Sequence, residues 1–261
     1  MSQSLVDTEL RRGRWRRFRQ QIALSEPSSE GFAKGGLSNR VSEPSVRLLV
    51  LPDDPEADLI SFDNDLWNWW LENRESPATQ RQTQWGLRYE PTPTAAVRYD
   101  QGPGELWEDY LALHRHGGLE MELGRHATYS WDERRAFRLI HIVGRIWTAL
   151  DLYQEVIERF GVSGPWEVSL ALRDTQGAVL GNVAEGWENP GSGFADEVIV
   201  CIEPGLLTRR EIMEWPDAEG AKSLAFALGG WIEDSWGIRQ RRFLAQRGER
   251  AGEFDIRAYR D

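Results

Sequence analysis

Residues 106–123 read LWEDYLALHRHGGLEMEL, and this stretch decides the fold. Gly117-Gly118 is a tight-turn dipeptide between two runs of alternating apolar residues, the pattern of a β-hairpin. After the turn Leu119, Met121 and Leu123 point one way, and Glu120 and Glu122 the other. That alternation predicts a half-buried strand whose second face is acidic and solvated. Upstream, Gln84–Tyr89 and Ala95–Tyr99 flank the break Pro91-Thr92-Pro93 and extend the hairpin into an antiparallel meander over 84–124. Val46–Leu51 is a continuous apolar run ended by Pro52, which predicts a buried strand. Asp63 or Asn64 can cap a short helix over 65–73.

Downstream, a helix is expected over 132–160. Ser130 and Glu133 have capping-box spacing. Apolar residues recur at Ala136, Leu139/Ile140, Val143, Ile146/Trp147, Leu150, Tyr153, Ile157 and Phe160, up to Gly161, a natural C′ residue. Such a helix is about 40 Å long, enough to cross a sheet. Trp166–Arg173 alternates, Asp174–Gly177 is a turn, and Ala178–Val183 returns, which reads as a second hairpin. Glu197–Ile202 reads as a further strand, with helical segments at 207–215 and 218–236 around Pro216. The order predicts an α+β fold: a mostly antiparallel sheet with the long helix and the C-terminal helices packed on one face.

The chain has 261 residues, a net charge of −11 and one cysteine, Cys201. An internal disulfide and a cysteine zinc cluster are therefore excluded. No apolar run approaches the roughly 18 residues of a spanning helix, so no membrane contact is expected and the expected location is cytoplasmic. Charge is segregated. Residues 1–24 hold six arginines against Asp7 and Glu9, and residues 239–261 hold seven against four carboxylates. The segment between them is strongly acidic, so attraction for polyanions is expected only at the ends. The expected organisation is an Arg-rich arm (1–24), a Ser/Gly/Glu/Pro-rich linker (25–45), an α+β domain (46–238) and a basic tail (239–261).

The stretch from Glu105 to Trp187 resembles the C-terminal region of bacterial proteins that carry an N-terminal AlbA_2 (Schlafen-like) DNA-binding or ATP-binding domain. The matching pieces are Gly117-Gly118 with Leu119-Glu120-Met121-Glu122, the helix around Leu139–Tyr153, and Gly164-Pro165-Trp166-Glu167-Val168. Leu170–Arg173, Gly177, Leu180-Gly181 and Gly186-Trp187 complete it, and Arg47–Pro52 resembles the strand that opens that region. The AlbA_2 domain itself has no counterpart here; an Arg-rich arm and linker stand in its place, so none of that domain's residues carries over. The resemblance implies a bacterial accessory or recognition module of the kind found in regulatory or antiviral defence systems.

The chemical candidates are few. His114-x-His116 with His126 could bind a metal, with Glu120 or Glu122 adding a carboxylate, and this is the basis of an alternative reading as a metal-dependent hydrolase or nuclease. Polar residues around a hairpin turn explain the first two equally well. Cys201 lies in an apolar run and reads as a core thiol. Gly191-Ser192-Gly193 lacks the strand–turn–helix context of a nucleophile elbow. Asp63/Asp65 and Glu120/Glu122 read as solvated carboxylates, and His141 as a packing histidine. No phosphate-loop or dinucleotide fingerprint occurs.

The binding candidates are Arg11, Arg12, Arg14, Arg16, Arg17 and Arg19, interleaved with Trp15 and Phe18. Guanidinium groups pair with phosphate or carboxylate, and the aromatics can stack or anchor. Of the thirteen tryptophans, Trp67, Trp69, Trp70, Trp85, Trp107, Trp131, Trp187, Trp215, Trp231 and Trp236 outnumber what one core holds, which suggests that some form a partner-binding patch while most are core. The sequence thus points to a non-catalytic accessory subunit without a cofactor. It would contact a partner protein, with nucleic acid as a second target, through the arm and an aromatic surface. A small-molecule or nucleotide sensor is the other alternative.

Overall fold

Strand β1 (Ser45–Leu51) runs through the middle of a seven-stranded sheet. The computed structural model describes residues 41–238 apart from 42–43, 55–56, 73, 79–81, 84, 93, 103, 105, 132–133 and 182–198. In chain order the further elements are helix α1 (Asn64–Trp70), the ribbon β2 (Arg74–Glu75) and β3 (Gln82–Thr83), then β4 (Arg88–Pro91), β5 (Ala95–Gln101), β6 (Trp107–His114) and β7 (Leu119–Leu123). They continue with β8 (Thr128–Trp131), β9 (Arg134–Arg138), α2 (Leu139–Phe160), β10 (Trp166–Arg173), β11 (Val179–Gly181), β12 (Gly205–Ile212) and α3 (Ala218–Ser235). The main sheet has the order β12-β10-β1-β7-β6-β5-β4 and every neighbouring pair is antiparallel. A smaller sheet, β11-β9-β8, joins β11 to β9 in parallel.

The two-residue period assigns the faces. Val46, Leu48 and Val50 of β1, Leu119, Met121 and Leu123 of β7, Leu111 and Leu113 of β6, and Val168, Leu170 and Leu172 of β10 all belong to one core. Helices α2 and α3 pack on that face through residues such as Ile142, Ile146, Leu150, Tyr153, Leu228 and Ile232. The helices therefore lie on one face of a mostly antiparallel sheet, as the sequence predicts. Asp63 caps α1, its Oδ1 accepting from the Leu66 N–H at 2.9 Å. At the other end of α1, Arg98 of β5 donates to the carbonyls of Trp70 and Glu72 at 2.9 and 3.3 Å, satisfying orphan acceptors of a helix terminus with a positive charge. Gly161 closes α2 in the left-handed conformation.

Gly117 carries the hairpin between β6 and β7 at φ 84°, and a Cβ placed there would lie 2.5 Å from Val162 Cγ2. Gly117→Ala combines a left-handed conformation with a clash against a buried side chain. We expect it to cost about 2 kcal/mol or more, read as a lower urea midpoint with an unchanged m-value.

Four local expectations are corrected. The long helix begins at Leu139, not 132: residues 128–138 form the β8–β9 hairpin, and Ser130 pairs with Arg135 across it instead of capping a helix. Ala136 and Phe137 are wholly buried there, so β pairing plus core burial overrides helical spacing. Residues 205–212 are a strand, not a helix. Leu206, Thr208, Arg210 and Ile212 are half-buried while the residues between them are exposed, and all eight pair with β10. The chain after β10 crosses to the small sheet, so β10 and β11 do not form a hairpin. Residues 199–202 contribute one isolated bridge, Val179↔Val200, in place of a strand. The arm (1–24), most of the linker and the tail (239–261) lie outside the described residues.

Candidate functional site

The side of the main sheet away from the helices carries the cluster of ionisable groups with the richest chemistry. In β1 the residues alternating with the core set are Ser45, Arg47, Leu49 and Leu51; in β7 they are Glu120 and Glu122; in β6, Tyr110, Ala112 and His114; in β10, Arg173. Register brings these together. Arg47 lies opposite Glu122 and Leu49 opposite Glu120 across β1 and β7. Tyr110 lies opposite Glu122 and Ala112 opposite Glu120 across β6 and β7.

Glu120 and Glu122 are both 0% exposed, which corrects the expectation of a solvated acidic face. Each is compensated. Glu120 pairs with Arg47, accepts from Tyr110 Oη at 2.6 Å, and lies 3.0 Å from His114 Nε2. Glu122 pairs with Arg173 and accepts from Ser45 Oγ at 2.7 Å, while Arg173 Nε donates to the same Ser45 Oγ at 2.9 Å. Tyr110 Oη is also 3.2 Å from Glu122, but it has one proton and the shorter contact to Glu120 takes it.

The two carboxylates consequently diverge. Burial alone would raise Glu120, but Arg47 beside it, together with His114 and Tyr110, outweighs burial and holds the carboxyl at about 2. For Glu122 burial prevails over Arg173 and Arg47, and its carboxyl is pushed up. Burial works against the charge of Arg47, and Glu120, Tyr110 and Glu122 together more than offset it, so its pKa rises. The Tyr110 hydroxyl is raised well above its ordinary value by burial and by Glu120. Two guanidiniums opposing two carboxylates make the layer nearly neutral, as buried charge must be.

At the turn, His114 and His116 stack at 5.3 Å and 8°. His116 Nδ1 accepts from the Gly118 N–H at 3.1 Å. Burial, and then His114, hold the His116 pKa down at about 3.

A second cluster sits on the helix side, where β5 and β6 meet α2. Asp109 Oδ1 accepts from the Gly124 N–H at 2.8 Å and its other oxygen meets His126 Nδ1. Asp100, opposite Asp109 in the register, accepts from the Leu87 N–H at 3.0 Å. One donor atom from each of Asp100, Asp109 and His126 lies within 4.8 Å of the others. His141 of α2 stacks on His126 at 6.0 Å. Burial lowers both imidazoles, and Arg145 is the next cause for each, with Arg138 also contributing. Arg145 itself lies over the Trp85 ring at 4.9 Å. The carboxylate–imidazole donors suit a divalent cation, and Arg145 and Arg138 lie near enough to disfavour protonation of both imidazoles. The cluster is a charged clamp between the sheet and α2.

His114, His116 and His126 are not brought together. His114 is five positions from Asp109 along β6, so the two point to opposite faces, about 17 Å apart along the strand. The three-histidine metal centre is thereby corrected: two of its members belong to the polar layer, the third to the clamp. Cys201 is a buried free thiol, as expected. The tryptophans are corrected as well. Trp69, Trp70, Trp85, Trp107, Trp166 and Trp236 are buried, and Trp67, Trp147, Trp215 and Trp231 pack partly buried against the core. Trp187 and Gly191-Ser192-Gly193 lie outside the described residues, as do Arg11, Arg12, Arg14, Trp15, Arg16, Arg17, Phe18 and Arg19. Among the described residues the most exposed large apolar side chains are instead Leu87 and Tyr89 at the β4 margin, and Ile202, Leu207 and Met213 beside and along β12.

Sequence reasoning missed the polar layer although a signal existed. Ser45 and Arg47 interrupt an otherwise Val/Leu strand at one parity, and Tyr110 and His114 share parity with Glu120 and Glu122 across the Gly-Gly turn. No family profile, curated protein or solved structure matches the chain. Among the described residues no helix is long and apolar enough to cross a membrane.

Proposed function

We propose that this chain is a non-catalytic binding module, an accessory subunit of a bacterial multi-component system. It contacts a partner protein through the guanidiniums of Arg11, Arg12, Arg14, Arg16, Arg17 and Arg19, with nucleic acid as the alternative target. The observation that carries the reading is the segregation of positive charge to the ends of an acidic chain, since a polyanionic surface is attracted only where the local field is positive. The engagement of the buried ionisable groups with one another supports it: Glu120, Glu122, Arg47, Arg173 and Tyr110 hold four strands in register. The aliphatic margin of β12, with Leu207 and Met213 exposed at 54% and 70%, offers a second contact. Its outer edge pairs with no described strand, and an edge of this kind accepts a partner's strand.

The test compares the full chain with a variant in which the six arm arginines are glutamine, using a 20-bp DNA duplex and polyglutamate as probes at 50 and 200 mM salt. At least tenfold weaker binding of one probe by the variant is expected. If the duplex is the one lost, wild-type log K should fall against log salt with a slope of about −5, one counterion per neutralised phosphate. Equal binding of both probes by both proteins refutes the arm's role.

A further inference from the structure

We infer that β12 is a self-pairing edge: two copies of the chain join through it, antiparallel, around a two-fold axis at Arg210, so that one sheet runs through both. This goes beyond the role of the arm and gives the β12 edge its occupant, a second copy. Among the described residues the main sheet ends in β4 on one side and β12 on the other, and no strand pairs with either outer edge. Such an edge presents a row of backbone donors and acceptors that a further strand can satisfy. The two edges differ. β4 has four residues and ends on Pro91, which has no N–H to give. β12 has eight residues without proline, and its pairing with β10 is unbroken from Gly205 to Ile212. It therefore offers a regular edge about 26 Å long.

Symmetry in the strand's own sequence selects the second copy. In an isologous contact the residue opposite a given one lies as far beyond the axis as that one lies before it. Centring on Arg210 puts Arg209 opposite Glu211 of the second copy, and Leu207 opposite Met213 of the second copy. All four are exposed and alternate along one side of the chain. That side faces away from the helices, since Arg210 between them donates to the Ala227 carbonyl of α3 at 3.4 Å. Each match occurs twice across the axis, so two opposite-charge pairs are flanked by two apolar pairs. Arg210 meets its own copy at the axis, but in each copy its guanidinium is drawn toward α3. Centring on Arg209 instead sets Arg209 against itself and Leu207 against Glu211. Centring on Glu211 sets Glu211 against itself and Arg209 against Met213. Cross-strand neighbours stabilise a sheet when charges are opposite or both groups are apolar, and like charges directly opposite destabilise it. Only the Arg210 register satisfies this along the whole exposed row.

The test is sedimentation equilibrium of the full chain between 1 and 100 μM. A dimer is expected, and a monomer throughout overturns the inference. Arg209→Glu and Glu211→Arg, each alone, set two like-charge pairs across the axis and should raise the dissociation constant at least tenfold. The double variant Arg209→Glu/Glu211→Arg restores opposite charges and should return to within about threefold of wild type. Single variants as tight as wild type, or a double variant no tighter than the singles, overturn the contact. Arg210→Cys should give a disulfide-linked dimer on mild oxidation, because residues directly opposite on antiparallel strands lie about 5 Å apart at Cα. Thr208→Cys, displaced from its copy by four residues along the strand, should not. The reverse pattern, or no link in either, also overturns the inference. The six-glutamine variant of the arm keeps the two readings apart. It should dimerise as wild type does whatever its affinity for DNA or polyglutamate, and a dimer lost with the arm's charges overturns the β12 contact.

Discussion

Glu120→Ala is expected to destabilise the protein by about 3–5 kcal/mol, the cost of leaving a buried charge without its partner. Arg47 is 6% exposed and pairs with Glu120, which also accepts from Tyr110 and lies beside His114. Removing the carboxylate strands the guanidinium and deprives two further donors of their acceptor. For a domain of this size the Tm should fall on the order of 10 °C. The double variant Arg47→Met/Glu120→Leu should recover most of the loss, because it leaves no unpaired charge and fills similar volume. Urea unfolding of wild type, Arg47→Met, Glu120→Leu and the double variant closes the cycle. Additive losses would mean that Arg47 and Glu120 do not interact in the folded chain.

Mild acid should be the second large effect. His116 is held down at about 3 by burial and His114, and His141 well below its usual 6.5 by burial and Arg145. Both imidazoles bind a proton more readily in the unfolded chain. Their contribution to stability is therefore full above about pH 6.5 and is lost as the pH falls toward the folded values. Each group costs about 1.4 kcal/mol per pH unit in that window. Between pH 6.5 and 5 His116 by itself should remove on the order of 2 kcal/mol, and His141 acts in the same direction. His126 is lowered in the same direction and adds to the trend. Glu122 acts oppositely: its raised carboxyl binds a proton more readily in the folded state, which offsets part of the loss. Urea midpoints at pH 7.5, 6.5, 5.5 and 5.0 measure the slope. His116→Asn should reduce it by about one proton. A slope that is flat over this range, or that survives both His116→Asn and His141→Asn, would show that these imidazoles are not held neutral.

Both effects come from the polar layer and the clamp, and these were the least legible parts of the chain. LEMEL announced a strand with two faces, and the structure has that strand and those faces. Whether the Glu face meets water or Arg47, Arg173 and Tyr110 is set by strands up to 77 residues distant in sequence. The same distinction runs through the fold. The Gly117-Gly118 hairpin, the start of α1 at Asp63, the burial of β1 and the end of α2 at Gly161 were readable, because each follows from a turn, a cap or an apolar run within a few residues. Residues 134–138 and 207–212 fall within segments whose apolar spacing predicts helix. They became strands through pairing with β8, β11 and β10.

The sequence by itself thus determined the antiparallel meander, the long amphipathic helix and the separation of charge along the chain, all properties of local periodicity and composition. Only the tertiary structure decided which of two faces is dry, which carboxyl is held down and which is pushed up, and which histidines are neighbours. Dielectric environment and electrostatic pairing depend on what lies within a few ångströms in space, and residues remote along the chain supply it.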